Sequence, residues 1–199
     1  MTNPAPVSSN ARTALLRAAE QLLVEQGQAG LSTRRIAAAA GVHHGLVHYY
    51  FGSMDELVLQ VLEGFSAQLL ARQRAMYAQQ VPFVEKWRQA MRYLEEDGSS
   101  GYHKVRMELQ ALAWNRPELR ERLAAVNASW RQVLMHAYAE AVDAGELDVH
   151  GWPLEAFVSL VMTANQGVAL ERLIGVRDGH DALLAAVDAT LGARNGRQP

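Results

Sequence analysis

Residues 31–57 read LSTRRIAAAAGVHHGLVHYYFGSMDEL, and this stretch decides the fold. Ser32 is a natural helix N-cap, with Leu31 before it and Ile36 inside it in the hydrophobic-staple arrangement. Ile36, Ala37 and Ala40 form an apolar stripe, and Gly41 stands where a helix ends in a left-handed residue. After the Gly41-Val42 turn, residues 43–50 give a second helix of about two turns, broken by Phe51-Gly52. Ser53-Met54-Asp55-Glu56 has the capping-box pattern, in which Ser53 accepts from the Glu56 amide while Glu56 reaches back. Two short helices about a tight, glycine-containing turn make a helix-turn-helix, whose second helix enters the DNA major groove.

Working outward, residues 10–26 carry Leu15, Ala19 and Leu22, with Leu16 and Leu23 alongside, at the spacing of an amphipathic helix, and Gly27 and Gly30 bracket its exit. On the other side, residues 53–79 keep helical period through Val58, Val61, Leu62, Phe65 and Leu69. Pro82 opens a helix carrying Phe83, Trp87, Met91 and Leu94, which ends in a loop at residues 97–101. Residues 102–112 make the next. Asn115 as cap, Pro117 in the first turn and Glu118 at the third position open a long helix to about residue 144. Residues 153–174 and 178–191 supply two more. No stretch alternates like a strand, so the chain is all-α, about nine helices with short connections.

At residues 11–60 the chain resembles the TetR family of transcriptional regulators. The family pattern is followed by Thr33, Ile36-Ala37, Gly41-Val42, Gly45, Tyr49-Tyr50-Phe51 and Glu56-Leu57. The resemblance implies a three-helix DNA-binding domain at residues 10–54 and a larger helical effector-binding and dimerisation domain at 55–192. The flanks, 1–9 and 193–199, are expected to be a disordered arm and a flexible tail. Two departures matter. Met54 stands where the family usually has Lys, and His43 and His48 stand where Ser and Tyr are usual. Fewer fixed cations imply weaker, less salt-steep DNA binding. Histidines near phosphate instead imply an affinity that varies between about pH 6 and 8.

Composition agrees with a globular regulator. The 199 residues are 49% apolar and 20% charged. Cysteine is absent, which excludes disulfides and thiolate metal sites. The start of the chain lacks a signal-peptide pattern, and the most apolar run, residues 156–170, is interrupted by Ser159, Asn165 and Gln166, so a cytoplasmic protein without a membrane span is expected. Net charge is −2, yet residues 1–54 hold four arginines against two glutamates, a mildly basic head on an acidic body.

Candidate DNA contacts are Thr33 and Arg34 in the first turn of the second helix, where amides and guanidinium can meet a phosphate. On the reading helix they are His43, His44, Leu46, His48, Tyr49 and Tyr50, with Gly45 allowing close backbone approach. By resemblance, His44 reads a base, while Tyr49 and Tyr50 contact base or phosphate. His44 and His48 also have a zinc-compatible spacing, but no third ligand is evident and no metal is expected.

In the body, Phe65, Trp87, Met91, Met107, Trp114, Trp130 and Met162 are large adaptable groups. They suit either ordinary bundle core or the lining of an apolar cavity, and the resemblance implies that some surround a small-molecule effector. His103, Glu108, Gln110, Asn165 and Gln166 are the polar candidates there, Asn165 and Gln166 foremost because a buried amide needs a partner. Ala156, Leu160, Ala164, Gly167 and Val168, with Leu183, Ala186 and Val187, are small or aliphatic. They fit either internal packing or a four-helix interface in a homodimer.

The expected function is a homodimeric, ligand-responsive regulator, most often a repressor, released from palindromic double-stranded operator DNA by its effector. A DNA-binding protein without an effector is the alternative. A helical enzyme is a third reading, for which no phosphate-cradling loop, nucleophile elbow or catalytic triad is present, so neither catalytic residues nor a cofactor are expected.

Overall fold

The caps and glycines that punctuate the sequence set the element boundaries. A computed structural model describes residues 7–195, and the described residues form nine α-helices and one 3-10 turn, with no strand. They are α1 (Val7–Gln26), the 3-10 turn (Gln28–Gly30), α2 (Thr33–Ala40), α3 (Gly45–Phe51), α4 (Met54–Tyr77), α5 (Phe83–Ser99), α6 (Tyr102–Ala113), α7 (Pro117–Asp143), α8 (Leu154–Leu173) and α9 (His180–Asn195). The all-helical class and the helix-turn-helix are as the sequence indicates.

Several boundaries differ from the sequence reading, three of them in the flanks and in α5. Residues 7–9, assigned to a disordered arm, belong to α1, and residues 193–195, assigned to the tail, belong to α9; the rest of both flanks lies outside the described residues. α5 also runs through residues 97–99, which were expected to be loop. Asp97 is buried and accepts from the Arg72 guanidinium at 2.5 Å, and Ser99 Oγ donates to the Glu96 carbonyl at 2.7 Å. These bonds hold a turn that Gly98 alone would weaken.

The helices form two compact units. One holds the chain up to Ala67 together with Ser100–Glu121; the other holds Gln68–Ser99 and the chain from Arg122 on. This division does not follow the 54/55 boundary expected from the sequence. The first part of α4 and all of α6 share a core with the helix-turn-helix: Leu15, Ala19 and Leu23 of α1, Ile36 of α2, Val47 and Phe51 of α3, Leu57 and Leu62 of α4, and Val105 and Leu109 of α6 are all buried. Helices of eight and seven residues are too short to persist alone. Burial at about 2 kcal/mol per large aliphatic group is what keeps α2 and α3 folded.

The second unit is centred on Tyr77, Phe83 and Tyr138. Their rings meet edge-on at centroid distances of 6.5 and 5.1 Å, and Phe157 lies 6.1 Å from Tyr138. Val84, Trp87, Val133, Val158 and Met162 complete this core.

Candidate nucleic-acid interface

Each end of α2 and α3 is closed by a specific bond. Ser32 Oγ accepts from the Arg35 amide at 3.2 Å. At the far end Gly41 has φ 67°, its N–H reaching Ala38 O at 3.2 Å while the Val42 N–H reaches Ala37 O at 2.9 Å. That pair of bonds is a Schellman motif, and it requires a residue that tolerates positive φ. The helix α3 then starts two residues later than the sequence suggested. His43 Nδ1 accepts from the Gly45 amide at 3.2 Å, so His43 acts as a cap before the helix instead of as part of it. At the other end His48 Nδ1 lies 3.1 Å from the Gly52 carbonyl. Ser53 Oγ accepts from the Glu56 amide at 3.1 Å, as the capping box requires. The reciprocal arm differs: the Ser53 amide donates to Phe51 O at 2.7 Å, and Glu56 accepts from Gln60 at 2.6 Å.

This local framework sorts the side chains of α3. Val47 and Phe51 are buried, Leu46 and Tyr50 are half-buried, and His43, His44, His48 and Tyr49 are exposed, Tyr49 by 77%. Tyr49 thus leaves its ring and hydroxyl open to solvent on a helix anchored from beneath. The His43 and His44 rings lie 4.3 Å apart, and Tyr49 meets Tyr50 edge-on at 5.0 Å. Thr33 is half-buried and Arg34 exposed at the start of α2. Arg35 is exposed too, but it is turned back to the protein, donating to Gly30 O at 2.6 Å and to the Gln26 side chain. Sequence reasoning missed Arg12, whose guanidinium lies 5.4 Å from the Phe51 ring centroid and donates to Gln60 at 2.6 Å. Nothing local in the sequence marks that role, because its partners are on α3 and α4.

The body residues expected to hold an effector are scattered differently. Phe65, His103, Met107 and Trp114 fall in the first unit, and Trp87, Met91, Trp130, Met162, Asn165 and Gln166 in the second. Trp114 is 77% exposed, because it caps the end of α6 where the chain turns outward, so it is not a lining residue. Trp87 and Met162 are built into the aromatic core, and Met91 packs against it. Gln166 Nε2 donates to Asn127 Oδ1 at 3.3 Å, so a protein group supplies the partner its amide needs. His103 is buried with both ring nitrogens lacking a protein partner, and burial, helped by Arg106, lowers its pKa to about 4. In the second unit Trp130 Nε1 and Gln73 Oε1 are likewise buried and unpartnered. An open cleft of about 1160 Å³ between the end of α4, the start of α5 and the end of α7 is lined by none of the expected effector residues.

Of the residues expected at a dimer face, Ala156, Leu160 and Gly167 are exposed on α8, and Leu183 and Ala186 on α9. Ala164 is half-buried, Val168 is buried and Val187 packs on the core of its own unit. The exposed residues extend the set: Thr163 and Leu170 join Ala156, Leu160 and Gly167 at alternating spacings of three and four along α8, with Ile174 at its C-cap continuing the row. Leu160 is 50% and Ile174 74% exposed.

Residues 15–61 match the profile of the bacterial regulatory proteins, tetR family. The chain is 46% identical over 56 residues to the HTH-type transcriptional repressor Rv3405c of Mycobacterium tuberculosis, a match covering 28% of this chain and 30% of that repressor. Its fold is shared with FadR from Bacillus subtilis, solved with stearoyl-CoA, at a TM-score of 0.73 and 17% identity, covering 90% of this chain and 96% of that one. A TetR transcription regulator from Haloarcula marismortui aligns with a TM-score of 0.72 at 16% identity, covering 94% and 96%. Among the described residues no helix is long and apolar enough to cross a membrane. Residues 15–61 thus carry the helix-turn-helix of the bacterial regulatory proteins, tetR family, and the fold of the chain as a whole is the one those solved regulators share.

Proposed function

We propose that this chain is a homodimeric transcriptional repressor that binds a palindromic operator and is released by a small, largely apolar effector. The observation that carries the reading is α3: a helix held down by Val47 and Phe51 that turns His44, His48 and Tyr49 to solvent. Residues 10–54 are the DNA-contacting head. Thr33 and Arg34 meet backbone phosphate at the positive end of α2. Gly45 lets the start of α3 approach closely, His43 and His44 flank that approach, and Leu46, His48, Tyr49 and Tyr50 extend along the groove. The name of the mycobacterial relative supports repression over activation.

Two α8 stripes with the exposed Leu183 and Ala186 of α9 support an isologous four-helix interface. A dimer of this kind offers two reading helices to successive major-groove turns, or to a longer multiple of that spacing. The fatty acyl-CoA held by the FadR neighbour supports an effector. In the first unit the buried, unpartnered His103 can give and take one hydrogen bond each, so it is the residue on which we place effector recognition. Effector and operator then lower each other's affinity by the same factor.

Selection from a random duplex pool tests this reading. An enriched sequence with twofold symmetry, bound by dimer and footprinted over both halves, is the expected result. Enrichment of nothing above the non-specific background overturns it. Loss of operator binding on adding oleoyl- or stearoyl-CoA tests the acyl-CoA class of effector. An operator affinity unchanged by every apolar ligand tried favours a repressor that acts by occlusion alone.

A further inference from the structure

Lys104 and Glu108 lie one turn apart on α6, and both reach the exit of α1. Lys104 Nζ donates to the Val24 carbonyl at 3.2 Å, in the last turn of α1, where a helix leaves carbonyls unsatisfied and its dipole is negative. Glu108 Oε2 accepts from the Gln28 amide at 2.6 Å, the first residue of the 3-10 turn. Opposite charges therefore grip opposite polar groups of one short segment.

Two glycines let α6 approach this closely. Gly27 has φ 70°, and a Cβ there would lie 2.6 Å from Glu108 Oε1. Gly101 has φ 83°, and a Cβ there would lie 2.7 Å from a Val24 methyl. The same segment is gripped from its other end by α2, through the bonds of Arg35 to Gly30 and Gln26. Residues 24–30 are thus tied to α6 on one side and to the helix-turn-helix on the other, all inside one compact unit.

We propose that the Lys104–Glu108 pair is a positioning clamp that sets the α1 exit and, through Arg35, the pitch of α2 and α3. Duplex affinity then depends on two side chains that lie on α6 and not on the reading head. A charge-assisted bond of this length weakens steeply once the partners separate. A shift of α6 by part of a turn therefore releases the Gln28 amide and loosens the head. The inference rests on reading the head as the DNA-binding element.

The test compares Glu108→Ala, Glu108→Gln and Lys104→Met with the wild-type chain on the duplex that the wild type itself selects, across a salt series. Glu108→Ala is expected to weaken binding by roughly fivefold or more with an unchanged salt slope, since no phosphate contact is lost. Glu108→Gln, whose carboxamide oxygen still accepts from Gln28, is expected to restore most of that loss. Amide exchange is expected to accelerate at Gln28 and across residues 32–51 in Glu108→Ala, and across residues 32–51 in Lys104→Met, but not in Glu108→Gln. Undiminished affinity for Glu108→Ala despite faster exchange at Gln28 overturns the clamp, as does a loss that Glu108→Gln does not rescue. A wild-type chain that selects no duplex overturns the DNA reading alone. The clamp is then judged by exchange, and unaltered protection of residues 32–51 in Glu108→Ala overturns it.

Discussion

His103 is 8% exposed, and neither ring nitrogen has a protein partner. Charging it means placing a cation in an apolar interior beside Arg106, which is why its pKa is lowered to about 4 from the usual 6.5. Neutral His103 is therefore what the fold prefers. Above the unfolded value, near pH 6.5, the group has no effect on stability. As pH falls below it the unfolded chain takes up the proton first, and stability drops until the folded value is passed. The full loss is at most about 3 kcal/mol. Urea midpoints measured from pH 7.5 down to pH 4 are expected to fall for the wild type and to fall less for His103→Leu. Parallel curves for the two would show that His103 is solvated. Ser32 gives a second check at this scale. Its Oγ closes the first turn of α2, and Ser32→Ala is expected to lower stability by about 1 kcal/mol, read as a lower thermal midpoint.

At the scale of elements, the helices whose ends are closed by neighbours in sequence were legible, and those closed from afar were not. Ser32 with Arg35, Gly41 with Ala37 and Ser53 with Glu56 are all bonds over three or four residues, and the sequence shows both partners at once. Asp97 looked like the start of a loop because its partner, Arg72, is on α4; likewise the Asn127 that satisfies Gln166 is on α7. The same limit applied to the candidate site. The periodicity of α3 separated Val47 and Phe51 from the contact face, but it could not show that His43 caps the helix or that Arg35 faces inward. Trp114 was misplaced because an aromatic at the end of a helix points wherever the following turn sends it.

The Arg72–Asp97 pair yields a prediction of its own. Burial raises the Asp97 carboxyl above its usual range against the pull of Arg72, so the fold carries a charge it would otherwise disfavour. Asp97→Ala leaves the guanidinium with the exposed Glu96 at 3.4 Å. It is expected to destabilise the protein by about 2 kcal/mol, with amide exchange accelerating over residues 96–99. Unchanged protection there would mean that the last turn of α5 stands without the pair. A second tie at this scale joins α5 to α9, where Arg88 Nε and Nη2 meet the two Asp188 oxygens at 2.7 and 3.1 Å. Arg88 holds the Asp188 carboxyl below its usual range, so the bond persists at neutral pH and is lost only as pH falls through that lowered value.

For the whole molecule, the dimer we propose has its consequence in how two heads would act together. The exposed row on α8, from Ala156 to Ile174, contains small residues at Ala156 and Gly167 and larger ones at Leu160, Leu170 and Ile174. Alternation of that kind lets two helices close without a gap. Leu160 is the first large residue of the row, and in the proposed dimer a carboxylate there would lie in the interface. Leu160→Glu is therefore expected to shift the protein to monomers at micromolar concentration, measured by sedimentation, with helix content unchanged. Once separated, each head binds its half-site alone. A tethered second head acts at an effective concentration near millimolar, so losing the tether costs roughly 10²- to 10⁴-fold in duplex affinity. The salt slope falls with it, since half of the phosphates are neutralised per binding event. The two losses must appear together. A Leu160→Glu chain that stays dimeric places the interface elsewhere. A monomer that binds the selected duplex as tightly as the wild type, with the same slope, shows that one head suffices and that the twofold arrangement has no part in recognition.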